Sequence, residues 1–172
     1  MNEKNTIIIS AFPACGKTYF MEHAPKGVTV LDSDSSKFHW SYTPGNTGMC
    51  RYPNPEWPDN YIQHIKDNIG TADVILISSH KDIREALHNA NIPFIAMYPI
   101  EDAKAEWIGR CVLRGNDQNF IKNLVENFDQ WVEDMEQETL PWPLVPTETL
   151  SDVVKDVRLH QFWENAISTR RS

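Results

Sequence analysis

Short apolar runs alternate with longer amphipathic stretches through the first hundred residues. Four runs rich in Ile, Val and other apolar side chains are predicted to be strands, at residues 6–10, 28–32, 73–78 and 93–98. They lack the apolar–polar alternation of a half-exposed strand, which is typical of parallel strands covered on both faces. Helices are predicted between them at about 17–24, 57–69 and 81–90. This order predicts a three-layer α/β sandwich around a central, mostly parallel sheet of about five strands.

The sequence beyond residue 100 has a helical period instead. Apolar residues recur every three or four positions and predict one stripe that packs on the core, namely Phe120, Leu124, Phe128, Trp131 and Met135. Prolines then interrupt the pattern, and a short strand is expected at 144–147. A last helix is expected from about 151 to 167, with Ser151 as its N-cap.

Length and charge limit the possible classes of protein. A chain of 172 residues is expected to form one domain, and no apolar run approaches the roughly 20 residues of a membrane-spanning helix. The 16 Lys and Arg and the 24 Asp and Glu give a formal net charge of −8, which argues against a nonspecific nucleic-acid binder. Residues 115–140 alone have a net charge of −6, so the rest of the chain is close to neutral.

The N-terminus has no signal-peptide pattern, and the three cysteines form no C-x-x-C pair. A soluble cytoplasmic protein without membrane contacts, disulfides or zinc is therefore expected.

The most specific motif lies between the first predicted strand and the first predicted helix. Residues 11–18 read Ala-Phe-Pro-Ala-Cys-Gly-Lys-Thr and match the phosphate-binding pattern G-x-x-x-x-G-K-[ST], except that Ala11 replaces the first Gly. In this pattern backbone N–H groups surround a polyphosphate, the Lys reaches the β- and γ-phosphates, and the Thr hydroxyl binds Mg²⁺. The motif therefore predicts ATP and Mg²⁺ as cofactors, with Thr18 on the metal and ATP held by Ala14, Cys15, Gly16, Lys17, Thr18 and Tyr19. A Gly-Lys-Thr turn without a ligand is the alternative.

Two acidic residues follow the second predicted strand, where they would lie beside the phosphate site. Asp32 and Asp34 are both candidates for binding the acceptor, and Asp34 is favoured as the base or acceptor-orienting group. The alternative is that these side chains only cap a turn. The third strand ends in Ser78-Ser79 and so offers no carboxylate of the Walker B kind.

Arginines at four positions are candidates for contacts with phosphate. Arg110 and Arg114 share one face of a predicted helix and would stabilise charge on a transferring phosphoryl group, with ion pairing to Glu106 as the alternative. Arg51 and Arg84 are placed where an acceptor would bind, although a surface role is equally compatible with the sequence.

The Pro-rich stretch 44–58 is expected to be a long functional connection within an acceptor-binding region at about 35–70. Several aromatic residues fall in or beside this stretch and would either stack on a base or pack beneath the loop, namely Trp40, Tyr42, Tyr52 and Trp57.

As a set, these segments resemble the small P-loop kinases of phage genomes that act on nucleotides. The resemblance rests on ACGKT at 14–18, LDSDSSKF at 31–38, NPEWPDNYI at 54–62, VILISSHK at 74–81, YP at 98–99 and EWIGRCVLRGN at 106–116. It implies ATP, Mg²⁺, phosphoryl transfer to a small acceptor and a lid at about 101–117 that carries Arg110 and Arg114. The chain resembles polynucleotide kinases and phage hydroxymethyl-pyrimidine kinases more loosely.

Three functions are compatible with these observations. The first is transfer of the ATP γ-phosphoryl group to a nucleotide, for which a deoxynucleoside monophosphate is the favoured acceptor. The second is transfer to a hydroxyl of DNA or RNA, either at a 5′ end or on a hydroxymethyl-pyrimidine base. The third is a non-catalytic module that uses ATP as a switch.

Overall fold

The computed structural model describes residues 5–171, and the side chains of residues 170 and 171 lie outside the description. The first half of the chain contains β1 (Ile7–Ala11), α1 (Lys17–Glu22), β2 (Val30–Ser33), α2 (Ser36–His39), β3 (Trp40–Gly45), β4 (Gly48–Pro53), α3 (Asp59–Asn68) and β5 (Val74–Ser78). The second half contains α4 (Lys81–Asn89), β6 (Ile95–Pro99), a 3₁₀ turn (Glu101–Ala103), α5 (Lys104–Leu113), α6 (Gln118–Glu136), β7 (Pro141–Leu144), α7 (Leu150–Val154) and α8 (Val157–Arg171).

A five-stranded parallel sheet with the order β2-β5-β1-β6-β7 forms the centre of the fold. Every residue of β1 is buried, and β5 and β6 are buried along nearly their whole length. Burial on both faces explains why these runs are apolar without alternation. The prediction of an α/β fold with a five-stranded parallel sheet is confirmed.

The topology places the carboxyl end of β1 beside the carboxyl ends of its neighbours. Ala11 pairs with Ser78 of β5 and with Met97 of β6. From β1 the chain runs to β2 at one edge of the sheet and then to β5, which lies between β2 and β1. It next crosses to β6, on the opposite side of β1. In open α/β sheets, ligands bind in the crevice that this reversal opens.

The apolar stripe of α6 packs against the core as predicted. Leu124, Phe128 and Met135 are buried, while Phe120 and Trp131 are half-buried against the core. Phe128 meets Phe12 edge-on, with 5.5 Å between ring centroids, directly behind the end of β1. The opposite face of α6 is charged, and no helix within residues 5–171 is both long and apolar enough to cross a membrane.

The Pro-rich stretch is not the long connection that the sequence predicts. Its first part belongs to an antiparallel hairpin of β3 and β4, which forms a separate two-stranded sheet. Pro44 lies near the tip of the hairpin and Pro53 is the last residue of β4. A two-stranded ribbon has two open edges, where the missing N–H of proline is tolerated.

The boundaries near the C-terminus also differ from the prediction. β7 ends at Leu144 rather than beginning there, and its prolines fit because it is an edge strand. Thr149, not Ser151, is the N-cap of α7, since Thr149 and Asp152 form a reciprocal capping box. The single predicted helix is two helices, α7 and α8, and the carboxylate of Asp156 accepts the Arg158 backbone N–H at 2.9 Å where α8 begins.

Candidate functional site

The 11–18 loop wraps the N-terminus of α1 in a conformation that suits an anion. Ala14 and Gly16 both have left-handed backbone, with φ of 63° and 91°. Turns of this kind direct successive N–H groups into a concavity that attracts phosphate. Ala11 ends β1 as an ordinary strand residue, so the missing first glycine of the motif requires no unusual backbone there.

A cleft of about 660 Å³ opens above this loop. Its volume lies within the roughly 300–1,000 Å³ typical of small-molecule sites. The lining combines loop, strand and helix residues that are far apart in sequence, namely Ala14, Gly16, Lys17, Thr18, Tyr19, Asp32, Arg110, Leu113 and Arg114. With three cationic side chains and one carboxylate, the lining has a formal charge of +2, which favours an anionic ligand.

Cys15 is the one residue of the predicted ATP contacts whose side chain turns away from the cleft into the core. It is 1% exposed, and burial raises the pKa of its thiol to about 12. Its backbone carbonyl oxygen accepts the Leu150 N–H at 2.8 Å. The start of α7 is thereby fixed against the loop, and a Cβ on Gly16 would lie 3.6 Å from that of Thr149.

Helix α5 contains Arg110 and has Arg114 as its C-cap, so both predicted lid arginines lie at the edge of the cleft. The Arg110 guanidinium lies 4.0 Å from the centre of the Trp107 ring and donates to the backbone carbonyl oxygens of Pro146 and Glu148, the latter at 3.4 Å. Arg114 is exposed one turn further along. Within residues 5–171, neither arginine forms an ion pair with Glu106.

The two candidate acids occupy different surroundings. Asp32 lines the cleft together with Lys17, Arg110 and Arg114. Asp34 lies just outside it and accepts the Ser36 backbone N–H at 3.0 Å, which is the turn-capping role considered as the alternative. Hydrogen bonds from Ser36, with smaller contributions from nearby lysines that include Lys17, hold the pKa of the Asp34 carboxyl below its ordinary value.

A second, smaller pocket of about 160 Å³ is lined in part by the same 32–36 segment that contributes Asp32 to the cleft. Ser35 at its edge approaches the Ser78 hydroxyl at 3.3 Å, so this pocket also lies at the carboxyl edge of the sheet. Its lining is polar and aromatic, formed by Ser35, Ser36, His39, Trp40, Trp57, His80 and Asp82. The 32–36 segment thus contributes to both pockets.

The remaining candidate arginines are not brought to either pocket. Arg84 is buried, forms an ion pair with Glu138 and donates to the Ser79 carbonyl oxygen at 3.1 Å. His88 approaches the same Glu138 carboxylate at 2.5 Å. Arg51 is exposed on β4 and lies 4.1 Å above the Trp40 ring.

Two important side chains have no signal in the sequence that would identify them. Trp107 donates its indole N–H to the Pro13 carbonyl oxygen at 2.8 Å and joins α5 to the loop. His39 is sandwiched between Trp40 and Trp57 at 4.7 and 4.6 Å. Sequence spacing does not predict these contacts, because only the fold brings Pro13 to Trp107 and Trp57 to His39.

No cluster of three metal-ligating side chains occurs among the described residues. Magnesium is commonly held by one or two protein oxygens, with water and substrate phosphates completing its shell. The exposed Thr18 hydroxyl and the Asp32 carboxylate are oxygen ligands of that kind beside the loop.

No protein-family model matches the chain, and no curated protein matches it in sequence.

Proposed function

We propose that the chain is an ATP-dependent phosphotransferase that moves the γ-phosphoryl group to a nucleotide, with a deoxynucleoside monophosphate as the favoured acceptor. The observation that carries the proposal is the lining of the larger cleft, in which Lys17, Arg110 and Arg114 surround a loop with anion-binding backbone. Such groups act on phosphoryl transfer by positioning and by stabilising negative charge.

The donor nucleotide is assigned to the larger cleft. Loop N–H groups and the N-terminus of α1 would bind the phosphates, and Lys17 would contact the β- and γ-phosphoryl oxygens. Thr18 and Asp32 would hold magnesium, whose charge offsets that of the phosphates. Leu113 is 89% exposed at the rim, so closure of α5 over a bound nucleotide would bury apolar surface.

The acceptor is assigned to the smaller pocket. An oxygen of the acceptor phosphate attacks the γ-phosphorus, the bond to the β,γ-bridging oxygen breaks, and ADP leaves with that electron pair. With a phosphate acceptor no proton has to be removed. The stacked rings of Trp40, His39 and Trp57 line this pocket, and a base would pack against their edges.

The test follows ADP release from Mg-ATP with each deoxynucleoside and ribonucleoside monophosphate in turn. Acceptor-dependent turnover is expected with at least one of them, and Lys17→Ala should abolish it, whereas Lys26→Ala, at an exposed lysine outside the cleft, should not. Tight ATP binding without any acceptor-dependent turnover would contradict the proposal and favour the switch module.

A second candidate, phosphorylation of a hydroxyl on DNA or RNA, is favoured by the position of Asp32. A hydroxyl must lose its proton as it attacks phosphorus, and Asp32 is a carboxylate in the cleft wall that could accept it. Turnover with oligonucleotides but not with mononucleotides would select this candidate over the first.

A further inference from the structure

The β3–β4 hairpin presents two different faces. Directly opposed residues of an antiparallel pair lie on the same face, and successive residues alternate between faces. The register pairs Tyr42 with Arg51 and Pro44 with Met49, while Ser41 pairs with Tyr52 on the other side. Trp40 pairs with Pro53 in the same way, so one face, which we name the Arg51 face, consists of Trp40, Tyr42, Pro44, Met49, Arg51 and Pro53.

The Arg51 face is continuous with the smaller pocket. The planar groups of Arg51, Trp40, His39 and Trp57 are stacked in that order, at 4.1, 4.7 and 4.6 Å. The Trp57 indole N–H donates to the Asp82 carboxylate at 3.2 Å, which fixes the inner end of the stack at the pocket wall. The outer end is the exposed Arg51 guanidinium beside Tyr42.

The exposed part of this face has the chemistry of a nucleic-acid contact. Tyr42 is 58% exposed, and Arg51 forms no ion pair with any carboxylate in residues 5–171. Arg51 is also the one charged residue in the sequence 40–53, within a chain of net charge −8. An unpaired arginine that is supported by an aromatic ring and adjoins an exposed tyrosine suits a base and its phosphate.

We propose that the Arg51 face binds single-stranded nucleic acid, with bases stacked on Tyr42 and on the Arg51 guanidinium and a backbone phosphate bound by Arg51. The strand end would then enter the smaller pocket, and this placement alone rests on the proposed function, in its second form with a nucleic-acid acceptor. Six residues of β3 extend over roughly 20 Å, a length of a few nucleotides. Binding of the strand requires neither ATP nor catalysis.

The test measures fluorescence anisotropy of labelled dT8 and U8 with the full chain at low salt and without ATP. Stacking contributes about 1–3 kcal/mol per base, so Tyr42→Ala should weaken binding about 5- to 150-fold. Arg51→Gln should weaken it and reduce its salt dependence. Tyr52→Ala is the matched control on the other face, at 44% exposure, and should leave the affinity unchanged. Comparison of dT8 with U8 distinguishes DNA from RNA.

Several outcomes would overturn this inference. Failure of the unaltered protein to bind either octamer would do so, as would equal losses from Tyr42→Ala and Tyr52→Ala in variants that melt like the parent. Binding of dTMP as tightly as dT8 would also exclude a role for the hairpin. If the unaltered protein phosphorylates no acceptor, but both it and Lys17→Ala bind the octamers, this inference stands and the proposed kinase activity is excluded.

Discussion

The indole nitrogen of Trp107 lies 2.8 Å from the carbonyl oxygen of Pro13. This hydrogen bond joins α5, which contains Arg110 and ends beside Arg114, to the loop that we propose binds ATP. Trp107 is fully buried, and the guanidinium of Arg110 packs on its ring at 4.0 Å. One buried side chain therefore contacts both the loop and the Arg110 guanidinium.

Trp107→Phe should weaken both the fold and the binding of ATP. The Pro13 carbonyl would lose its donor in a partly buried place, which costs about 1–3 kcal/mol, and the smaller ring leaves a void. Urea unfolding gives the change in stability, and titration with ATP gives the change in affinity. Trp142→Phe is the control, because Trp142 packs on Phe162 at 5.7 Å and does not line the cleft. Equal effects on ATP affinity would contradict the positioning role.

Glu138→Gln should destabilise the protein without changing the Michaelis constant for the acceptor. The Arg84 and Glu138 side chains are only 6% and 11% exposed, so the substitution leaves a buried guanidinium without its counter-charge. Loss of one partner of a buried pair costs about 3–5 kcal/mol. Thermal unfolding measures the loss, and Glu126→Gln, at an exposed position of α6, is the matched control.

A different result would restore the acceptor role that the sequence suggests for Arg84. If Glu138→Gln changes the acceptor Michaelis constant several-fold while the protein stays folded, the ion pair holds Arg84 for the substrate. The structure favours a purely structural pair, since Arg84 also donates to the Ser79 carbonyl oxygen and lines neither pocket.

The sequence predicts the sheet well because the central strands carry a strong, local signal. The apolar runs of β1, β5 and β6 are each bounded by polar or turn-forming residues, and their burial follows from composition alone. The left-handed backbone at Gly16 also has a local signal, because glycine adopts a positive φ without strain.

The errors arise where distant contacts decide the outcome. The hairpin contains Pro44 and Pro53, and proline content predicts a loop unless the strands are known to be free edges. The helix start at Thr149 depends on its reciprocal bonds with Asp152, whereas Ser151 has an equally good capping side chain by composition. The pairing of Arg84 with Glu138 spans 54 positions, and no local pattern encodes it.

The three cysteines should differ in reactivity towards a thiol reagent such as an aromatic disulfide. Cys50 is exposed, whereas Cys15 and Cys111 are buried and have raised thiol pKa values, mainly from desolvation. The thiolate is the reactive form. At pH 8 the folded protein should therefore release one equivalent of chromophore rapidly, and the denatured protein three. Rapid release of two or more from the folded protein would contradict the burial of Cys15.

The raised pKa of Cys15 also predicts a loss of stability in alkali. Between the ordinary value of 9.0 and about 12, the folded protein keeps a proton that the unfolded chain releases. The folded state thus binds more protons than the unfolded state, and the free energy of unfolding must fall as pH rises through this range. Unfolding of Cys15→Ala, measured against pH in urea, should show a smaller decline than that of the parent. An unchanged decline would assign it to other groups.

The two aspartates should separate catalysis from turn stability. Asp32 lines the cleft, so Asp32→Asn should reduce turnover about 10²- to 10⁴-fold if its carboxylate accepts a proton. With a phosphate acceptor, the same substitution should act through magnesium and be relieved in part by excess Mg²⁺. Asp34→Asn should change turnover little, because Asp34 accepts the Ser36 backbone N–H outside the cleft. Steady-state kinetics of both variants, with a mononucleotide and an oligonucleotide, give these values.

The Asp34 substitution has its own pH signature in stability. The folded-state pKa of Asp34 is below its ordinary value of 3.8, so its stabilising contribution is complete above that value and disappears as pH falls through the folded pKa. Asp34→Asn should lower the free energy of unfolding by less than about 1 kcal/mol at pH 7, since the group is exposed. The difference from the parent should vanish in strong acid. If Asp34→Asn instead abolishes turnover and Asp32→Asn does not, the base is Asp34, as the sequence alone favours.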